Sequence, residues 1–557
     1  MTDIGPRIAY FSMEIGLQSE MPTYAGGLGV LAGDTLRAAA DLGLPIVAVT
    51  LVHREGYFRQ RLTEDGGQIE EPQAWAVERT LVERPERVTV TIEGRLVQVR
   101  SWEYVVQGLG GRVPVYLLDT DVPENAEADR TLTGRLYGGD ARYRLSQELV
   151  LGVGGVRMLR AVGHGHIERF HLNEGHSSLL IVELLAERTR AAERTAIMPE
   201  DIADVRGRCV FTTHTPVPAG HDHFPLELVR HVLGESPLYD LKERCCFGGE
   251  LNLTYLALNF SHYVNGVAMR HGEVSRRMFG GYVIDAITNG VHAATWVSDG
   301  FRALFDRCIP GWQRDNFSLR YATGLELDDI WTAHMEAKRA LIDHVRRDSG
   351  LRLDPEVLTL GFARRAAAYK RADLVLQQPG RLAQIAATAG PVQLVFAGKA
   401  HPRDDEGKRM IERVVTGMKA LGGLVVGTYL PNYDVALARL VTAGADLWLN
   451  TPLPPLEASG TSGMKAALNG VPSFSVLDGW WIEGHIEGVT GWAIDGQGID
   501  RSADAAVLYD KLERVILPLF YRDRDRYIEV MRQAIALNGS FFTSQRMLQE
   551  YTLKAYV

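Results

Sequence analysis

A chain of 557 residues exceeds what one hydrophobic core usually supports, so two large domains are expected. Hydrophobic residues make up 46% and charged residues 23%, as in soluble globular proteins, and a net charge of −9 argues against a broadly basic surface for nucleic acid. Four cysteines without C-x-x-C spacing, no basic-then-apolar leader, and no apolar run near the roughly 18 residues of a membrane span point to a reduced, cytoplasmic protein without a membrane partner.

Residues 7–11 read as a strand. The Gly-rich run Tyr24-Ala-Gly-Gly-Leu-Gly29 follows, Leu28 to Leu42 has helical periodicity, and Ile46 to Leu51 is a short buried strand. Val88 to Val106 alternates as a meander or hairpin rather than as part of a parallel sheet. Strand and helix then alternate: Val113–Leu118, a helix near 141–162, Arg169–Leu172, a helix from His176, Cys209–Thr213, and a strand over Asp285–Asn289. A Trp- and Asp-rich stretch near 295–330 carries fewer periodic apolar runs and marks the expected domain junction.

The second half repeats the alternation, with helix 329–348, strand Val357–Ala363, helix 370–387, strand Val392–Ala397, helix 404–420, strand Leu424–Tyr429 and strand 445–450. Such patterning predicts doubly wound parallel sheets. Boundaries are set at 1–295, 296–515 and a helical 516–557.

Glu457-Ala-Ser-Gly-Thr-Ser-Gly-Met-Lys465 lies between two apolar, strand-like runs. Gly460, Thr461, Ser462 and Gly463 open a helix whose free backbone N–H groups can seat a phosphate. Lys465 follows about one turn later, within reach of a ligand held there. A phosphate seat, a reachable amine and a nearby carboxylate together suggest pyridoxal phosphate joined to Lys465; an ordinary strand–loop–helix crossover with a solvated lysine is the alternative.

The glycines of Tyr24–Gly29 let backbone amides approach an oxyanion, but the run is not G-x-G-x-x-G and no acidic residue is placed for a ribose. Arg364, Arg365, Lys370 and Arg371 follow a predicted central strand, where open α/β folds bind ligands; elsewhere such a run would be a solvated face. His171-Leu-Asn-Glu-Gly-His176 and Phe211-Thr-Thr-His-Thr-Pro216 sit where strands give way to loops. The i, i+2 spacing of Glu174 and His176, with no further ligands in order, argues against a metal site and for sugar recognition. Trp480 and Trp481 could stack on sugar rings or fill the core.

Five ordered blocks, the four just quoted around Gly27, Glu174, Arg365 and Lys465 together with Ile287-Thr-Asn-Gly-Val291, resemble the α-glucan (glycogen, starch, maltodextrin) phosphorylases in a short bacterial-type form. The resemblance implies two Rossmann-like doubly wound domains facing across a cleft, the GT-B arrangement, with the C-terminal helices crossing back to the first domain. It implies reversible phosphorolysis of α-1,4-glucan to α-glucose 1-phosphate with retention, the phosphate of pyridoxal phosphate serving as proton relay. The partners are then maltooligosaccharide, inorganic phosphate and glucose 1-phosphate; a homo-oligomer is left open.

On the same ground Lys465 carries the cofactor, with Thr461, Ser462, Arg364 and Tyr433 around it. Arg365 and Lys370 hold the substrate phosphate, with the Gly27 amide and Leu28 on the opposite wall. His214 and Asn289 hold the glucosyl 6-hydroxyl; Glu457, Ser459 and Gly460 hold the 3- and 4-hydroxyls; Tyr369, Glu174 and His176 complete the sugar site. Long members of the family carry Lys at the Arg364 position and His-Glu in place of Ala367-Ala368. Their regulatory segment has no counterpart in Met1–Arg7, so constitutive activity is expected. The rival readings are a nucleotide-sugar glucosyltransferase, which would not need Lys465, and an inactive glucan-binding protein.

Overall fold

Short runs of β-branched and aliphatic residues bounded by glycine and polar turns become fully buried strands in two separate sheets, as parallel strands covered on both faces require. The computed structural model describes residues 5–217, 220–496 and 500–557; Met1–Ile4 of the expected short leading segment lie outside the described residues. The strands of the two large sheets are β1 (Ile8–Ser12), β2 (Ile46–Leu51), β3 (Val82–Ile92), β4 (Arg95–Gln107), β5 (Arg112–Asp119), β6 (Arg169–Asn173), β7 (Cys209–Thr212), β8 (Tyr263–Gly266) and β9 (Asp285–Ala286) in the first. The second holds β10 (Leu358–Ala363), β11 (Val392–Ala397), β12 (Val425–Leu430), β13 (Leu447–Asn450), β14 (Ser473–Val476) and β15 (Gly491–Ile494).

The first sheet has the order β9-β8-β7-β6-β1-β2-β5-β4-β3, parallel except for the hairpin β3/β4 and its antiparallel junction with β5. The expected hairpin is therefore present, but it extends the parallel sheet at its edge. The second sheet, β12-β11-β10-β13-β14-β15, is parallel throughout. In both, strand order reverses beside the first strand, between β1 and β6 and between β10 and β13. At such a reversal adjacent loops leave the sheet toward opposite faces and open a crevice beyond the carboxyl ends.

Residues 295–330, expected to be poor in periodic apolar runs, are helical and well packed: Trp296, Phe301, Phe305, Trp312 and Leu319 lie in the same core as the second sheet. The helix expected over 370–387 is instead two 3-10 turns followed by a helix over Pro379–Thr388. Arg371 takes a left-handed φ of 49°, and Pro379 cannot donate to a preceding turn, so the helix begins there. The strand expected over Asp285–Asn289 shortens to two residues, and the helix near 141–162 is broken by a π-turn over Val150–Gly154.

The last helices return to the first sheet. Ser544–Tyr551 packs on Gly27–Leu42, the Tyr556 hydroxyl lies 2.6 Å from His171 Nδ1, and the Tyr551 hydroxyl lies 3.0 Å from Thr212 Oγ1. A small hairpin, Arg59–Leu62 with Gln68–Glu71, reaches from the first half to the second. Gln60 and Asn432 exchange backbone-to-side-chain bonds of 3.3 and 2.9 Å, and Gln68 exchanges two bonds of 2.9 Å with the backbone of Ala400.

Candidate active site

The loops after β10 and β13 bring together most of the residues singled out in the second half. Arg364 Nη2 donates to Glu457 Oε2 at 2.7 Å, and Lys370 Nζ donates to the same oxygen at 2.5 Å. Arg364 also donates to Asn450 Oδ1 at the end of β13. Burial alone would raise the Glu457 pKa, but Arg364 and Lys370 overcome it and hold the carboxyl down at about 2. Glu457 is itself placed by its backbone N–H, which donates to Asp478 Oδ2 at 2.9 Å. Asp478, buried and close to Glu457, is pushed up to about 6.

Arg365 differs from its neighbours. It is solvent-accessible, yet protein surrounds it: burial opposes its charge, while Tyr369, Tyr57 and Tyr137 favour it, and the net shift is upward. A guanidinium open to water but walled by tyrosines from both halves points into a concavity. The Tyr369 phenol, between Lys370 and Arg365, is lowered despite its burial; Lys370 Nζ lies 4.5 Å from its ring centroid.

Lys465 stands on the short helix Thr461–Ala467, entered through Gly460 at φ 89°. It is 6% exposed, its Nζ lies 3.9 Å from the Trp296 ring centroid, and among the described residues no acceptor takes a hydrogen bond from it. Burial lowers its pKa to about 8, against the opposing pull of Asp34. At seven residues the helix has little dipole of its own, so an anion here would rely on the direct amides and hydroxyls of Thr461 and Ser462. The Trp448 indole already donates to Ser462 Oγ at 3.2 Å. Ser459 Oγ is buried with no hydrogen-bond partner among the described residues. Tyr433, half-buried, is raised by burial and eased by Arg364.

On the first sheet the Gly-rich loop is pinned by a carboxylate that sequence spacing did not single out. Glu14 Oε2 accepts from the Ala25 and Gly26 amides at 2.6 and 3.2 Å, and Oε1 accepts from the Tyr137 hydroxyl at 2.8 Å. A Cβ on Gly33 would come within 2.0 Å of Gly16 O, so that glycine serves close packing; a Cβ on Gly27 would meet nothing within 4 Å. The Gly27 face of the loop is thus open, with Leu28 half-buried beside it. The Tyr24 hydroxyl accepts from Val435 N at 3.1 Å, tying this loop to the second half close to Tyr433.

Glu174 adopts φ 71° and ψ 171°, a region that costs a non-glycine residue about 1–3 kcal/mol. Its side chain secures the distortion by accepting from His214 N at 2.7 Å, Thr215 Oγ1 at 2.9 Å and Gly175 N at 3.2 Å. Oε2 therefore serves the loop that carries His214, while Oε1 braces the turn of Glu174 itself. The His214 ring donates through Nε2 to Asn173 Oδ1 at 2.6 Å, leaving Nδ1 as acceptor; burial lowers its pKa to about 4. His176 Nε2 lies 3.2 Å from Asp222, which Arg144 also holds at 2.9 Å. Asn289 is buried, and its carbonyl accepts from Arg546 at 3.0 Å. Trp480 and Trp481 fill the core.

Glu14, Asp34, Tyr57, Arg144, Asp222 and Trp296 were not found by sequence reasoning. Met13-Glu-Ile directly after β1 is the one local signal, a carboxylate inside an otherwise apolar run.

A family model described as carbohydrate phosphorylase matches residues 246–489. The chain is similar to a maltodextrin phosphorylase of Thermococcus litoralis, 39% identical over 99% of this chain and 70% of that one. A glycogen phosphorylase of Mycobacterium bovis is 38% identical over 99% and 70% of the two chains, and one of Aquifex aeolicus is 36% identical over 99% and 86%.

Proposed function

The chain belongs to the carbohydrate phosphorylase family, and from that premise we propose that it is a cytoplasmic α-1,4-glucan phosphorylase, cleaving glycogen or maltodextrin with inorganic phosphate to release α-glucose 1-phosphate with retention. The observation that carries the reading is a buried amine with no acceptor among the described residues, Lys465, at the same strand-order reversal as Arg364, Arg365 and Lys370. A nucleotide-sugar transferase would use the cations but not the amine. We also propose that the two sheets are the cores of two Rossmann-like domains, split near 295 and facing across a cleft, with residues 516–557 crossing back.

The residues present fit pyridoxal phosphate. Lys465 supplies an amine that finds no acceptor among the described residues; Thr461 and Ser462 open its helix; Arg364 and Tyr433 are assigned to the phosphate end of the cofactor; and the buried Ser459 hydroxyl has no partner among the described residues. When bound, the cofactor supplies an ionisable phosphate able to share a proton with the substrate phosphate.

The chain's own residues do the rest. Arg365 and Lys370 bind and orient inorganic phosphate, and the open Gly27 amide faces it from the first half. Lys370 gives one of its three ammonium donors to Glu457 and can turn another to phosphate. Glu457, still held by Arg364, has lone pairs left to accept sugar hydroxyls beside Ser459 and the Gly460 amide. His214 is neutral near pH 7 and offers Nδ1 as an acceptor to a sugar hydroxyl, with Asn289 nearby in the same role. Tyr369, Leu28 and His176 complete the sugar wall, and Glu174 holds His214 in place.

Two measurements test this. Purified protein should carry about one pyridoxal phosphate per chain, fixed by borohydride to the peptide containing Met464-Lys465, and should release phosphate from glucose 1-phosphate when given maltooligosaccharides of graded length. Phosphate release by a colourless, cofactor-free protein would overturn the cofactor assignment, and no release with any acceptor would overturn the function.

A further inference from the structure

The helix Gly27–Leu42 buries a carboxylate that packing does not require: Asp34 is 1% exposed, among alanine, leucine and glycine. Its Oδ2 accepts from the Trp296 indole Nε1–H at 2.7 Å. Its Oδ1 accepts no hydrogen bond, and the nearest cation, Arg37 Nη1, stands 3.5 Å away. The ring of the same indole carries Lys465 Nζ, 3.9 Å from its centroid.

The indole is also fastened at its backbone. Asn469 Nδ2 donates to Trp296 O at 2.9 Å and to Lys465 O at 3.0 Å, while its Oδ1 accepts from Ser298 N at 2.8 Å. Asp34, Trp296, Asn469 and Lys465 thus form one closed clamp across three separate helices. An indole that donates to a carboxylate becomes more electron-rich, and its face attracts a cation more strongly.

Resting on the cofactor reading above, we propose that Asp34 is a positioning residue for the cofactor amine: through the Trp296 indole it fixes where Lys465 Nζ sits and how tightly that nitrogen holds its proton. Joining an aldehyde needs the neutral amine. The nitrogen lone pair forms the bond to the aldehyde carbon, and the aldehyde oxygen leaves as water with both amine hydrogens. Burial drives the amine toward neutrality, and the Asp34 charge resists it.

Among the described residues, few other charges face this pair. Helix Gly27–Leu42 adds Arg37, and the segment entering Trp296 adds His292, which is paired with Asp41 at 2.8 Å. Strands β13 and β14, helix Val435–Gly444 and the segment Ala534–Gly539, which also pack on the Lys465 helix, bring only Arg439.

The test is the pH dependence of acetic anhydride labelling at Lys465, read by mass spectrometry on the full chain after cofactor removal, in parallel with pyridoxal phosphate uptake followed by absorbance. The wild type should label with a midpoint near 8. Asp34→Asn keeps an acceptor for the indole but removes the charge, so the midpoint should fall by about one pH unit and uptake at pH 6.5 should rise by up to about tenfold. Trp296→Phe removes the indole donor and should shift the midpoint the same way by less, which decides the matter if Asp34→Asn does not fold. An unmoved midpoint with normal uptake overturns the role of Asp34 alone. Failure of any form to take up pyridoxal phosphate overturns the cofactor reading and this role with it.

Discussion

At their amino ends, strands β10 and β13 enclose Asp446, His334 and Lys338, each 0% exposed. Asp446 Oδ2 accepts from Lys338 Nζ and Thr359 N, both at 2.7 Å, and Oδ1 lies 2.8 Å from His334 Nε2. At their carboxyl ends the same strands present Arg364, Lys370 and Glu457, 8%, 5% and 6% exposed. Each cluster centres on one carboxylate held by two side-chain nitrogens, but only the second touches solvent and sits where the strand order reverses. Sealed charges have no partner but each other; charges at a crevice can trade partners. The first cluster ties helix Leu327–Ser349 to the sheet, and the second is poised to exchange Glu457 for a ligand.

Four substitutions press on that contrast. The largest effect on stability is expected at the sealed end. Lys338→Met leaves Asp446 buried without its cation and should cost about 3–5 kcal/mol in urea unfolding. Inorganic phosphate at 10 mM should leave the deficit relative to wild type unchanged, because both chains keep the same phosphate site and no ligand reaches the sealed end. Recovery would show that the two ends are not different in kind.

At the open end, Lys370→Ala should leave unfolding less affected but lower kcat/KM for phosphorolysis by about 2–4 kcal/mol, roughly 30- to 1000-fold. Arg365→Ala should do the same. Since both act on one charge, the double variant should lose less than the sum. Near-wild-type phosphorolysis in either single variant would remove that residue from the phosphate site.

How much of this contrast the sequence showed depends on how local each signal is. Ile46–Leu51 and Val392–Ala397 are continuous apolar runs with turns at both ends, and they are strands over those residues. Residues 370–387 carried a helical pattern too, but the left-handed Arg371 and Pro379 interrupt it, and apolar periodicity does not register a backbone reversal. Among site residues, Arg364, Lys370, Glu457 and Lys465 stand in compact phrases next to strands. Glu14, Asp34 and Trp296 reach the site from elements hundreds of residues apart from Lys465, so no spacing connects them. Asp446 gave no signal either, because within the expected strand 445–450 it is one polar residue in an apolar run until His334 and Lys338 are folded against it.

The smaller stability effect is the more discriminating. The Glu457 pKa in the folded chain, about 2, lies below its ordinary value of 4.5, because Arg364 and Lys370 outweigh burial. A depressed carboxyl stabilises the fold above its unfolded pKa and loses that contribution as pH falls through the folded one. Glu457→Gln should therefore lower unfolding stability by about 3 kcal/mol at pH 7, with the deficit closing between about pH 4.5 and pH 2. The substitution also leaves Arg364 and Lys370 facing each other without an anion. A phosphate dianion supplies the missing charge, and a ligand that binds only the folded chain stabilises it in proportion to the logarithm of its concentration over Kd. Millimolar phosphate should thus narrow the Glu457→Gln deficit relative to wild type at pH 7 while leaving the Lys338→Met deficit unchanged. If phosphate rescued neither variant, Arg364 and Lys370 would be structural cations like Lys338, and the open cluster would differ from the sealed one only in its exposure.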